Sequence, residues 1–196
     1  MANLMKGLRR SWIVVGGALC IWAAAVSAQA VQPTGNHADP VAVVIKEAPT
    51  AAGFSEGQAS APVVYVFFDP NCAGCHFLYE SLRSFVTEGK VQVRWIPVGI
   101  VDPTSLGKAA AILQSHNPVA ALAYNEKHYA IEDGGIAETI PTARVRRELL
   151  ENSALLGQLP LAVVPTMLFL SSSGQPMLIQ GALSPLALRR VFQHLP

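Results

Sequence analysis

From residue 63 to residue 68 the chain runs Val-Val-Tyr-Val-Phe-Phe without a polar break. An unbroken run of β-branched and aromatic residues predicts a strand buried on both faces. Asp69-Pro70-Asn71 stops it. From about Ala73 to Thr87, Phe77, Leu78, Leu82, Phe85 and Val86 recur at spacings of three and four, which predicts a helix, and Gly89 closes it. Residues 91–98, Val-Gln-Val-Arg-Trp-Ile-Pro-Val, alternate as a second strand does. Strand, helix and strand in this order form a βαβ unit, which requires a parallel pair and a right-handed crossover.

The period then changes. Residues 103–159 read as mostly helical, with helical spacing over Leu106–Gln114 and Pro118–Tyr129, a break at Gly134-Gly135, and a further helix from Pro141-Thr142 to about Leu156. The sheet returns with Thr166–Leu170, a turn containing Gly174, and an antiparallel partner over Met177–Gln180. Ser184 is placed to cap a last helix, with Pro185 at its first position and Leu186, Leu188, Val191 and Phe192 inward. The expected order is βαβ, a helical insertion, then ββα.

The first sixty residues carry a different signal. A basic start (Lys6, Arg9, Arg10), an apolar run from Trp12 to Val26 and the small residues Ser27-Ala28-Gln29-Ala30 read as a secretory signal peptide, residues 1–28, cut after Ala28 or Ala30. The run is short for a membrane span, so an uncut anchor is the lesser alternative. Cys20 goes with the leader. Residues 29–60, rich in Ala, Pro, Gly, Ser and Thr, read as a flexible arm or linker in which only Val41–Lys46 has strand or helix character. The domain proper is expected over 61–196. Cleavage removes three of the 14 basic residues and none of the 13 acidic ones, leaving 11 against 13, a net charge of about −2. No basic surface remains to neutralise phosphates, which argues against nucleic acid as a partner.

Only Cys72 and Cys75 remain after that cut, as Cys72-Ala73-Gly74-Cys75, at the point where a buried strand turns into a helix. Free N–H groups at a helix start favour a negative charge, and the macrodipole adds to them. Cys72 should therefore be the thiolate, in the range of about 3.5 to 7.5 against about 8.5 for a free thiol. Cys75, one turn inside, should be buried and act second. Two other readings compete. A zinc half-site needs two more ligands, and His76, His116, His128 and His194 do not supply a paired set. A structural disulfide closing so short a loop would constrain the unfolded chain little. A second feature is Val163-Val164-Pro165-Thr166, where a proline precedes a buried strand that it cannot join as a donor.

Taken together, residues 61–76 (Ala-Pro-Val-Val-Tyr-Val-Phe-Phe-Asp-Pro-Asn-Cys-Ala-Gly-Cys-His), Lys90–Arg94 with Pro97-Val98-Gly99, Lys108–Leu113 and Val164-Pro165-Thr166 resemble the DsbC/DsbG family of periplasmic disulfide isomerases and chaperones. That resemblance implies a thioredoxin-like α/β fold with a helical insertion between the second strand and the cis-proline loop. It implies that Cys72 attacks a substrate disulfide, that Cys75 resolves the mixed disulfide, and that Pro165 is cis and packs beside the sulfurs. Val164, Pro165 and Thr166 would form the substrate-binding loop, the Val164 backbone pairing with an extended segment. The implied partners are exported proteins with cysteines and a membrane redox partner of the DsbD type; the implied location is the periplasm. No cofactor or metal is expected, because the cysteines are the redox group.

The sequence also departs from that pattern. Ala73-Gly74 lacks the aromatic or histidine usual in the family, and valine stands before the proline where relatives have threonine. Val66 occupies the position of a buried acid in thioredoxin and the oxidases. Some thirty residues before the first strand are too few for the family's dimerisation domain, so a monomer is expected. His76 is a candidate for tuning the thiolate, weighed against a solvated histidine on the helix surface. Asp69 is expected to end the strand and cap nearby N–H groups rather than handle protons. A chaperone-like binder of unfolded exported chains is the rival that needs no redox turnover.

Overall fold

The computed structural model describes residues 39–130 and 134–196. The leader, Cys20 and the first part of the arm lie outside the described residues. In chain order the elements are α1 (Pro40–Glu47), β1 (Phe54–Glu56), β2 (Val63–Phe68), α2 (Ala73–Thr87), β3 (Gln92–Pro97), α3 (Ser105–Leu113), α4 (Pro118–Lys127), α5 (Ala143–Leu156), β4 (Thr166–Leu170), β5 (Pro176–Gln180) and α6 (Pro185–Val191). A 3-10 turn, Phe192–His194, follows α6.

The five strands form one sheet in the order β1-β3-β2-β4-β5. β2 and β3 run parallel, in register from Val63 opposite Gln92 to Phe68 opposite Pro97. β4 is antiparallel to β2, and β5 to β4. Alternation along β2 sends Val64, Val66 and Phe68 into one core and Phe67 into another. The first core is closed by α2, α4 and α6 through Leu78, Leu82, Leu122 and Leu188; the second by α1 and α5 through Val44, Ile45, Leu155 and Leu156. Both faces of the central strand are covered, as its unbroken apolar run requires.

The insertion forms three helices, of which α4 and α5 start at a capping side chain and α3 does not. The side chains of Asn117 and Thr142 accept from Ala120 and Val145 N–H, and Ser184 does the same for α6. α5 is more than an ornament of the insertion, because its Leu155 and Leu156 cover the sheet and its Val145 and Leu149 hold α3 through Ala109 and Ala110.

The arm is where the structure departs most from the sequence reading. From Pro40 onward it belongs to the domain. Asp39 caps α1 by accepting from Val41 N–H, and Val44, Ile45 and Ala48 are buried against Phe67, Ile96 and Leu155. β1 then pairs antiparallel with β3, Phe54 opposite Trp95. Its small residues reflect close approach rather than looseness, since a Cβ at Gly53 would lie 2.2 Å from the Trp95 carbonyl oxygen. Two side chains placed inward by periodicity face out: Phe77 is half exposed and Leu186 more so. The buried stripe of α2 runs through Cys75, Leu78, Tyr79, Leu82, Phe85 and Val86, and Phe77 lies off it.

Candidate active site

Cys72 is the N-cap of α2. Its backbone is extended (φ −86°, ψ 115°), and its sulfur accepts the Cys75 N–H at 3.4 Å. The residue that the sequence put at the helix start is thus the one whose side chain fills the capping position, where free N–H groups point. Across the site its thiol donates to the Val164 carbonyl oxygen at 3.5 Å. The Val164–Pro165 bond is cis. Pro165 packs on the CxxC turn so closely that a Cβ at Gly74 would lie 3.1 Å from its Cδ. The Pro165 carbonyl accepts from Gly181 N–H at 2.8 Å, at a φ of +91° that suits glycine, and Thr166 turns its hydroxyl back to the Val163 carbonyl at 2.7 Å. Val164 and Pro165 therefore lie against the CxxC turn, while Thr166 is the buried first residue of β4 and its hydroxyl turns away to Val163.

Both cysteines are free thiols, Cys72 half-buried and Cys75 buried. The Cys75 thiol and the N–H groups of Cys75 and Gly74 hold Cys72 down to about 7, against burial and the nearby Asp69 carboxylate, which push it up. Burial pushes Cys75 well above a free thiol, and hydrogen bonding and charge from Cys72 add to that. Cys75 shares its core with Val66, Phe68, Leu78 and Met167. Phe67 and Tyr65 lie with the second core, and Phe77 is half exposed.

A family model described as a thioredoxin-like domain matches residues 56–196. The chain belongs to the thioredoxin-like domain family. Among curated proteins it is 38% identical over 136 residues to a thiol:disulfide interchange protein DsbG of Pseudomonas aeruginosa, covering 69% of this chain and 53% of that one. It is 36% identical over 121 residues to the DsbG protein of Escherichia coli, covering 59% and 47%. The chain spans about half the length of these curated relatives. They support placing this thioredoxin-like protein with the DsbC/DsbG group. Among solved structures, the catalytic domain of Proteus mirabilis ScsC superposes with a TM-score of 0.64 at 18% identity, covering 79% of this chain and 95% of that one. The thiol-disulfide exchange protein α-DsbA2 of Wolbachia pipientis gives 0.59 at 12% identity, covering 79% and 92%. At such identities the likeness is one of fold.

Within this thioredoxin-like frame, the side of the site away from Pro165 is made by the insertion. The Asp69 carboxylate is buried. It accepts Asn71 N–H (2.9 Å) and the Ser105 hydroxyl (2.7 Å) on one oxygen, and Ile100 and Val101 N–H (2.7 and 3.0 Å) on the other. The Asn71 amide donates to Thr104 and Ser105 and accepts from the buried Lys108 ammonium at 2.8 Å, which also reaches the Gly134 carbonyl at 2.7 Å. Asn125, fully buried, donates to the Pro70 carbonyl and accepts Ile136 N–H. His76 does not turn to the sulfurs. Its Nδ1 lies 2.9 Å from a Glu126 oxygen, and its ring stacks on Tyr129 with centroids 4.6 Å apart. Burial raises the Glu126 carboxyl above the usual range, in part offset by its hydrogen bonds with His76 and Asn125.

Sequence reasoning passed over Lys108, Asn125 and Glu126 as site-building residues. Their only sequence signal is position: on a helix, a polar residue that packs inward looks like one facing water. Among the described residues, no three His, Cys, Asp or Glu side chains converge to hold a metal ion, and no helix is long and apolar enough to cross a membrane.

Proposed function

We propose that the protein exchanges thiols and disulfides with exported proteins in the periplasm, through Cys72 as the attacking group and Cys75 as the resolving one. The observation that carries this reading is the pairing of environments. One sulfur sits at a helix N-cap, half-exposed and held down to about 7; the other is buried three residues later and pushed up. The Cys72 thiolate attacks one sulfur of a substrate disulfide, and the substrate's other sulfur leaves as a thiolate. Cys75 gives up its proton and attacks the Cys72 sulfur of the mixed disulfide, breaking the bond to the substrate, whose second sulfur leaves as a thiolate. The protein then holds a disulfide and the substrate two reduced sulfurs, one protonated by the Cys75 proton and the other from solvent. The Val164 carbonyl, 3.5 Å from the Cys72 sulfur, is suited to align an extended substrate segment by strand addition.

Strong oxidants have leading thiols near about 3.5, whose thiolate stabilises their reduced form. A leading thiol at about 7 lacks that stabilisation and fits a reductase or isomerase restored by an external dithiol donor; a membrane partner of the DsbD type fits that role. Export would follow from the leader over residues 1–28.

The test is to mix the reduced protein with a scrambled disulfide protein and follow recovery of the native pairing. Cys75→Ser should accumulate a mixed disulfide through Cys72, and Cys72→Ser should accumulate none. Equal trapping by both variants, or full activity in Cys72→Ser, would reject the assignment.

A further inference from the structure

We propose that Asp69 is a positioning and poise-setting residue of the redox pair: an anion locked by four donors beside the CxxC turn, held in place in part by the helical insertion, whose charge sets how readily the dithiol gives up its electrons. The inference rests on the redox reading above and goes beyond it by assigning the group that tunes the pair.

The starting point is an absence that the structure fills elsewhere. The interior of β2 carries Val66 and no acid. Three residues later, just beyond the strand end, Asp69 is buried to 1% exposure. It is tied to both cysteines through its main chain. Its N–H donates to the Cys75 sulfur at 3.5 Å, and its carbonyl accepts Cys72 N–H at 3.1 Å.

The hydrogen-bond pattern then fixes what the carboxyl group can do. Three of its four partners are backbone N–H groups. The fourth is the Ser105 hydroxyl, whose oxygen already receives the Asn71 amide and Asp102 N–H, so its single proton goes to Asp69. A carboxylate offers about four lone-pair sites, and all four are taken. Accepting a proton would displace a donor and leave it buried without a partner. Asp69 is thus built as a fixed charge and not as a relay for the Cys75 proton.

A fixed negative charge beside two sulfurs opposes a second one on either, and Asp69 raises both thiols. Lys108 meets it through the Asn71 amide, and Glu126 is paired with His76. Opposing the thiolate destabilises the reduced form relative to the disulfide, so Asp69 makes the pair more reducing. Ser105 and Lys108 both belong to α3, so the insertion helps hold this charge in place.

The experiment is equilibration with glutathione, in which the protein dithiol plus one glutathione disulfide give the protein disulfide plus two glutathione thiols. Alongside it, Cys72 alkylation is followed against pH. Asp69→Asn should shift the equilibrium several-fold toward the dithiol and move the Cys72 midpoint to lower pH. Asp69→Ser, which keeps a hydroxyl for the Asn71 N–H, should do the same. Ser105→Ala keeps the charge, so it should lower stability and leave the Cys72 midpoint in place. Unchanged midpoints in folded Asp69 variants, or equal shifts in Ser105→Ala, overturn the proposal. If the Asp69 variants do not fold, the unaltered protein decides: the 13C carboxyl resonance of Asp69 should carry a small inflection at the Cys72 midpoint. No inflection, or a full protonation shift coupled to loss of the Cys75 proton, overturns it. Failure of the unaltered protein to equilibrate with glutathione would instead reject the redox reading itself.

Discussion

The two sides of Cys72 are built from different materials. Toward the cis-proline loop lie main-chain groups and small or apolar side chains: the Val164 carbonyl, Pro165, Gly74 and Gly181. Toward the insertion lies a buried polar lattice of Asp69, Asn71, Ser105, Lys108, Asn125 and Glu126. The first side leaves a half-buried sulfur next to a carbonyl whose partner is that sulfur's own thiol, which ionisation of Cys72 frees for an incoming extended segment. The second holds the turn that carries the sulfur, since a satisfied buried network permits few alternative arrangements. Chemistry and rigidity are thus divided between two faces of a four-residue turn.

The largest effect should come from the open side. Cys72→Ser is expected to lower exchange by several orders of magnitude, because the attacking atom is gone, while its thermal stability in the reduced state changes little. Cys75→Ser should keep the attack and lose the release. Trapped mixed disulfide, counted by mass spectrometry, separates the two. If both variants keep more than a tenth of the activity, the division between faces fails.

A second break is made on the closed side. Asn125→Ala removes a donor to the Pro70 carbonyl and an acceptor of Ile136 N–H, both buried or half-buried. Leaving such partners unsatisfied costs about 3 kcal/mol in sum. Urea unfolding of the reduced protein measures it. The alkylation midpoint of Cys72 should hardly move, because Asn125 touches neither sulfur and carries no charge. A stable variant with a displaced midpoint would mean that uncharged members of the lattice also act on the thiols directly, and not only by holding their turn and the Asp69 charge.

This contrast also separates what was legible in the sequence from what was not. The CxxC side could be read because its signals are local. Val63–Phe68 declares a strand, Cys72 follows its stop, and a helix start needs only the residues that form it. The insertion helices were legible for the same reason, with Asn117 and Thr142 standing at their caps. The lattice is not local: Asp69 meets Ser105, and Pro70 meets Asn125, across 36 and 55 positions of sequence. Nor is the arm. Three residues of β1 carry too little alternation to declare a strand, and only its pairing with β3 defines it. The sequence offers His76 either to the thiolate or to solvent, while its partner, Glu126, lies 50 positions away.

A smaller effect should appear in the pH dependence of stability in the reduced state. Cys72 is held down to about 7 in the folded protein against 9.0 for an unperturbed thiol. Between these values the folded protein carries the thiolate and the unfolded chain still binds the proton, so stability rises with pH. The gain is complete above about 9 and is lost as pH falls through 7. Two units would correspond to about 2.7 kcal/mol, but this sulfur is half-exposed and solvent screening reduces the gain to about 1 kcal/mol. Cys75 works the other way above pH 9, where its unfolded form ionises first, so the curve should turn over there. Urea midpoints from pH 6 to 10 test the shape. The disulfide form has neither thiol and should show no such rise.

The smallest effect, and the sharpest test of the division, is His76→Ala. The residue lies next to Cys75 in sequence and on the same helix as the N-cap sulfur, so proximity alone would make it a tuner of the thiolate. Its ring instead faces Glu126 at 2.9 Å and stacks on Tyr129. Removing it leaves a buried carboxylate with the Asn125 amide as its remaining side-chain partner, and the Glu126 carboxyl should rise further as burial acts unopposed. Part of the loss is recovered when that carboxyl takes up a proton, so the cost should stay at about 1 kcal/mol. The variant should therefore be slightly less stable at pH 8 than at pH 5 relative to the unaltered protein, while the Cys72 alkylation midpoint stays at about 7. A midpoint that climbs in His76→Ala would place the histidine on the open side after all, as a charge seen by the thiolate. An unmoved midpoint with the pH-dependent stability loss would place it in the lattice, where its work is to keep Glu126 ionised and α4 docked on α2.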